Sequence, residues 1–186
     1  MGFYVVCIVL GIVFSVIIFY LFVTLNSLMK LKNLVEEAFY TMDVYLKKRW
    51  NLVPNVVETV KGYAEHEKRT LEEIVRLRNT IYEDMSSKDK MDVDREMFSS
   101  FSRLMALAER YPELKASEQF GALSKELSKL EEDIANARKY YNGTVRKMND
   151  KVQMFPSNLV AKVIGFKTYP MFETTDEARL NVEFNL

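Results

Sequence analysis

Apolar residues are spread unevenly along this chain, and their spacing changes along it. Residues 3–23 carry no charge and almost nothing polar. At about 1.5 Å per residue, a helix over that run covers about 30 Å, the hydrocarbon thickness of a bilayer. Tyr4 and Tyr20 stand near its ends, where a ring and its hydroxyl can straddle the interface. A cleaved signal peptide does not fit. No basic stretch precedes the run, the run is too long, and no small-x-small site follows it. The expectation is an uncleaved transmembrane anchor over residues 1–25.

Beyond the anchor the pattern becomes helical. Between Ala116 and Phe155, apolar residues recur in steps of three and four: Ala116, Phe120, Leu123, Leu127, Leu130, Ile134, Ala137, Tyr141, Val145, Met148, Val152 and Phe155. This is a heptad seam with one stutter, and it predicts a helix D about 60 Å long. A shorter seam of Val93, Met97, Phe101, Leu104, Ala108 and Tyr111 predicts helix C. Helix C stops at Tyr111-Pro112, because proline disfavours helical geometry in the residue before it. Leu71, Ile74, Val75, Leu77 (or Arg78) and Ile81 mark helix B, and Met85–Lys90 reads as the turn between B and C. Helix A continues from the anchor through Leu31, Leu34, Val35, Ala38, Met42, Tyr45, Leu46, Trp50, Val53, Val56 and Val60, with an expected kink at Pro54 and a stop at Gly62.

The fold class is therefore all-α: an N-terminal transmembrane helix, then an antiparallel up-and-down four-helix bundle with A and D long and B and C short. The expected domains are the anchor 1–25, the bundle 26–155, an apolar segment 156–173 and a polar tail 174–186. If D travels back along A, residues after D land near the inner leaflet. The segment from Phe155 to Phe172 is apolar and carries Lys162 and Lys167. It reads either as an interfacial amphipathic stretch or as a segment folded back on the A–D pair.

Charge sets orientation and narrows the function. Lys30 and Lys32 follow the anchor closely, which favours an outside N-terminus and a cytoplasmic bundle. Lys and Arg number 26, as do Asp and Glu, so no global basic field exists to hold a phosphate backbone, and nucleic acid is not an expected partner. One cysteine, Cys7, lies in the apolar run and excludes a disulfide framework. One histidine, His66, cannot supply the paired Glu-x-x-His motifs of a di-metal bundle. Neither a nucleophile–base pair nor a Gly-rich phosphate loop is visible. The expectation is no enzyme, no cofactor and no metal.

Glu36-Glu37, Glu72-Glu73 and Glu131-Glu132-Asp133 read as solvated faces with i,i+4 pairing, and Lys47-Lys48-Arg49 as a solvated or partner-facing run. Asp43, bracketed by Met42 and Val44, is expected to meet Arg138 of helix D either as a register-fixing buried pair or with both side chains in solvent. Arg49, Asn51, Pro54 and Asn55, with the turn Tyr111-Pro112, admit two roles. They carry partner recognition, or they serve structure as a kink and a helix stop.

Three blocks resemble the LemA family. They are the run from Asp43 through Trp50, Pro54 and Gly62 to Tyr63, the run Ala108 to Ala116, and Ile134 to Asn142 followed by Val145, Asn149 and Phe155-Pro156. The resemblance spans about Asn33 to Phe172, in order, with Met148 standing where the family usually has an aromatic residue. It implies a bacterial inner-membrane protein with an outside N-terminus and a cytoplasmic four-helix bundle. The family carries no established activity. The function expected is a membrane-anchored scaffold or adaptor that contacts lipid through its N-terminal helix and binds protein partners, with homo-oligomers within its scope. The alternative is an accessory regulator of a membrane enzyme such as a membrane protease.

Overall fold

A computed structural model describes residues 2–63, 68–78 and 82–172. The expectations placed on His66, Ile81 and the tail 174–186 lie outside the described residues. Every regular element among the described residues is helical. The helices are α1 (Gly2–Lys61), α2 (Lys68–Arg78), α3 (Ser87–Ala108), α4 (Pro112–Lys115), α5 (Glu118–Gln153) and α6 (Ser157–Ile164), with a short 3-10 turn at Tyr82–Asp84.

The apolar run opens α1, and residues 2–19 are all exposed. The most apolar 18-residue window of α1 has no buried residue, as expected of a helix whose solvent is lipid rather than protein. Its hydroxyl at Ser15 donates to the Gly11 carbonyl at 2.9 Å, so no polar hydrogen is left unpaired there. The helix runs on through Pro54 and stops at Lys61, with Gly62 already in the turn, as the sequence predicts.

The described residues form two compact units, the first of residues 2–38 and 140–171, the second of residues 39–63, 68–78, 82–139 and Phe172. In the first unit, Thr24, Leu28, Val35 and Ala38 of α1 are buried, as are Tyr141, Val145 and Met148 of α5. The Asn149 side chain clamps the chain that follows α6: its carboxamide donates to the Tyr169 carbonyl at 2.9 Å and accepts the Tyr169 N–H at 2.8 Å. Tyr141 donates its hydroxyl to the Pro170 carbonyl at 2.9 Å. Burial raises the Tyr141 hydroxyl to about 12, with nearby Tyr169 adding to the effect. Helix α6 ends on Gly165 in the left-handed region (φ 82°), where the N–H groups of Gly165 and Phe166 return to the carbonyls of Lys162 and Ala161.

In the second unit, the buried stripe of α1 is Met42, Leu46, Trp50, Val53, Val56 and Val60. On α5 it is Phe120, Leu123, Leu127, Leu130, Ile134 and Ala137, which is the predicted seam. The seam's ends, Ala116 and Phe155, are exposed and lie beyond the helix termini.

Two boundaries differ from expectation. The B–C turn is shorter than Met85–Lys90, because α3 already begins at Ser87. Ser86 and Asp89 form a reciprocal cap there: the Asp89 N–H donates to Ser86 Oγ at 3.2 Å, and the Ser86 N–H donates to Asp89 Oδ2 at 3.2 Å. That spacing starts the helix before the first apolar residue of its seam. Helix α3 ends at Ala108, and Pro112 opens α4, where its missing N–H costs nothing.

Candidate functional site

The most unusual chemistry of the second unit is a buried charge cluster. Arg49 sits on the core face of α1 between Leu46 and Trp50 and is completely buried. Its Nη1 donates to Asp94 Oδ1 of α3 at 2.7 Å and lies 3.4 Å from the Asp94 carbonyl, while its Nη2 binds Glu131 of α5. Arg138, two turns along α5 from Glu131, donates Nη2 to the other Asp94 oxygen at 2.7 Å. Two guanidiniums and two carboxylates thus alternate across three helices, so each buried charge faces an opposite one. The planar fork of Arg49 reaches two acids at once, which a lysine ammonium could not do with the same geometry. Aromatic faces close the ends of the cluster: the Arg49 guanidinium carbon lies 5.7 Å from the Phe98 ring centre, and that of Arg138 lies 4.2 Å from Phe172.

The cluster is not fully satisfied. Nε of Arg49 and Nε of Arg138 have no hydrogen-bond partner. Burial raises the Glu131 carboxyl above its ordinary value and the Asp94 charge adds to the rise, against the opposing pull of Arg49 and Arg138.

A second polar group borders the first. Asp43 accepts the Tyr82 hydroxyl at 2.6 Å and the Lys90 ammonium at 2.9 Å, and that ammonium lies 4.6 Å from the Tyr82 ring centre. Burial, then the Asp43 hydrogen bond, pushes the Tyr82 hydroxyl well above its ordinary value. The Tyr82 ring leans on Trp50, with centroids 5.2 Å apart. Lys47 and Glu83 form an exposed pair at 2.8 Å, which raises the lysine and lowers the glutamate.

These contacts correct several expectations. Asp43 and Arg138 do not form the expected pair: Tyr82 and Lys90 take Asp43, and Asp94 takes Arg138. Lys47-Lys48-Arg49 is not a uniform solvated run, because one further step of about 100° around the helix turns Arg49 from the water-facing side into the core. Glu131 likewise turns from the acidic face toward Arg49 and is half-buried there. Arg49 is completely buried, with its guanidinium taken by Asp94 and Glu131. Tyr111 and Pro112 form a helix junction, with the Tyr111 carbonyl accepting the Lys115 N–H at 3.1 Å. Asn51 and Asn55 are exposed and border a groove of about 570 Å³ with Lys48, Leu52, Glu126, Lys129, Leu130 and Asp133. Pro54 borders a smaller hollow of about 320 Å³ with Val57, Lys61, Val75 and Arg78.

Sequence reasoning missed Asp94, Glu131, Tyr82 and Lys90. A signal for Asp94 was present. It stands three residues from both Met91 and Met97, inside the buried stripe that continues through Phe101, Leu104 and Ala108. Among the described residues, no group of three or more His, Cys, Asp or Glu is placed to hold a metal ion.

The regular elements among the described residues define an all-helical class of protein whose long apolar N-terminal helix is consistent with membrane anchoring. Within that class the chain belongs to the LemA family, whose pattern matches residues 38–185. It is 26% identical to Protein LemA of Metamycoplasma hominis over 159 residues, covering 85% of this chain and 73% of that protein. It is also 28% identical over 86 residues to Magnetosome protein MamQ 2 of Paramagnetospirillum magneticum, covering 46% of this chain and 32% of that protein. Magnetosome protein MamQ of Magnetospirillum gryphiswaldense is 25% identical over 87 residues, 47% of this chain and 32% of that protein.

Proposed function

We propose that this chain is a non-enzymatic, membrane-anchored scaffold that presents a helical domain to protein partners at the cytoplasmic face of the bacterial membrane. In this reading residues 3–23 cross the bilayer with the N-terminus outside, and the helical segments of residues 39–139 form an up-and-down four-helix bundle. The observation that carries the reading is the continuity of α1, one unbroken helix of 60 residues from the apolar run into the second unit. One helix carries both the apolar run and the buried stripe of the second unit, with no linker between them. The similarity to proteins named for the magnetosome supports a membrane-associated role.

The surface best suited to a partner is the groove beside Asn51 and Asn55, where Lys48 and Lys129 alternate with Glu126 and Asp133 around exposed amides. Such mixed charge suits a polar protein surface better than an anionic polymer. Proximity labelling from the C-terminal tail in intact cells is the test. Cytoplasmic neighbours that are enriched over an anchor-only control, and lost on Asn51→Arg with Asn55→Arg, support the scaffold. Labelling confined to the outer side overturns the orientation. Enrichment equal to the control overturns partner binding. A stable one-to-one complex with a membrane enzyme would assign the chain instead as that enzyme's regulator.

A further inference from the structure

Helix α6 buries one face and leaves the other uncovered. Ser157, Val160 and Ala161 are buried, whereas Leu159 is 58% exposed and Val163 is 87% exposed. Phe155, just ahead of the helix, is 79% exposed. Positions 155, 159 and 163 are spaced by four, so the two helical members lie on one stripe and Phe155 leads into it. In water this arrangement is unfavourable, and among the described residues none covers Leu159, Val163 or Phe155.

The position of α6 in its unit names what covers it. The segment that follows, Ile164–Tyr169, lines a hollow with Met29 and Lys32 of α1, only six and nine residues beyond the last residue of the apolar run. Within the same unit, burial of α1 begins at Thr24, directly after that run, and Leu28 follows it. The returning chain therefore comes within about 9–14 Å, along the axis, of the point at which α1 leaves the apolar run. Exposed Lys162 stands one position, about 100° around the helix, from Val163. Exposed Lys167 follows, and Lys30 and Lys32 of α1 are nearby in sequence to the same level. A short apolar stripe with lysines at its edge is what an interfacial helix needs: side chains among the acyl carbons, ammonium groups among anionic headgroups.

We propose that α6 lies in the headgroup layer of the bilayer that α1 crosses, with Phe155, Leu159 and Val163 inserted and Lys162 and Lys167 facing anionic lipid. This rests on α1 being a membrane span but not on the adaptor reading. The chain then has a second point of membrane attachment, which stops α1 from turning about its axis.

Site-directed spin labelling of the full chain tests it, in nanodiscs of phosphatidylethanolamine and phosphatidylglycerol. Cys7→Ser removes the native thiol, and single cysteines are placed at Val13, Leu159, Val163 and Lys167. Labels at 159 and 163 are expected to collide several-fold more with oxygen, which partitions into lipid, than with a water-soluble nickel relaxant, and the order is expected to reverse at 167. High nickel access at 159 and 163 places α6 in water and overturns the proposal. Low access to both relaxants means that protein, such as a second copy of the chain, covers the stripe, and also overturns it. The label at Val13 separates the two premises: nickel access there sinks the membrane span itself, whereas oxygen access at 13 with nickel access at 159 and 163 sinks only the placement of α6.

Discussion

Arg49 is the hub of the buried ion cluster, reaching Asp94 and Glu131 from α1. Arg49→Met keeps most of the side-chain length but removes the guanidinium, so Glu131 loses its cation while Asp94 keeps Arg138 at 2.7 Å. Stripping one partner from a fully buried ion pair costs about 3–5 kcal/mol. Two features reduce this. Asp94 retains one cation, and the Glu131 side chain is 30% exposed, so water and a proton can take over part of its charge. The expected destabilisation is about 2–4 kcal/mol, which lowers Tm by about 5–15 °C in a domain of this size. The assay is thermal unfolding of the full chain in nanodiscs, followed by circular dichroism. Arg49→Lys is expected to restore little, because one ammonium cannot bridge Asp94 and Glu131 with fork geometry. A double-mutant cycle with Glu131→Gln should return a coupling of about 1–3 kcal/mol. A loss below about 1 kcal/mol, with strictly additive effects, would refute the claim that the cluster ties α1, α3 and α5 together.

Glu131 also makes stability depend on pH. Its folded value is raised, so the folded chain holds that proton more tightly than the unfolded chain. The contribution is fully present below the ordinary carboxyl value of 4.5 and is lost as pH rises through the raised folded value. The Tm of the native chain should therefore fall relative to Glu131→Gln as pH rises from 4.5, and a constant gap would show that Arg49 fully compensates burial. Asn149→Ala removes both hydrogen bonds to the Tyr169 backbone and should cost about 1–3 kcal/mol, read as faster hydrogen exchange at the Tyr169 amide with the core amides of α5 unchanged. Gly165→Ala meets no atom within 4 Å, so its cost is conformational only, about 1 kcal/mol, and unfolding should begin at α6. Ser86→Ala removes the reciprocal cap of α3 and should cost about 1 kcal/mol, measured as a Tm drop that Ser86→Asn largely avoids.

The long helices were legible in the residues, whereas α4 and α6 were not read as helices. The exposed apolar run, the seam from Phe120 to Met148 and the stop at Gly62 all stand where spacing and backbone preference place them. Periodicity is a local property: a side chain every three or four positions defines a face whatever packs against it. Which charges meet was decided only by tertiary structure. Arg49 and Asp94 are 45 residues apart and Arg49 and Glu131 are 82 apart, and their encounter depends on the rotation and register of three separate helices. In the sequence, Arg49 ends a basic run and Glu131 opens an acidic one, both patterns that normally face water. Burial reverses that reading because a guanidinium flanked by two carboxylates can leave water where an isolated one cannot. The same logic gave Asp43 to Tyr82 and Lys90 instead of Arg138, since electrostatics rewards whichever opposite charge packing brings within reach.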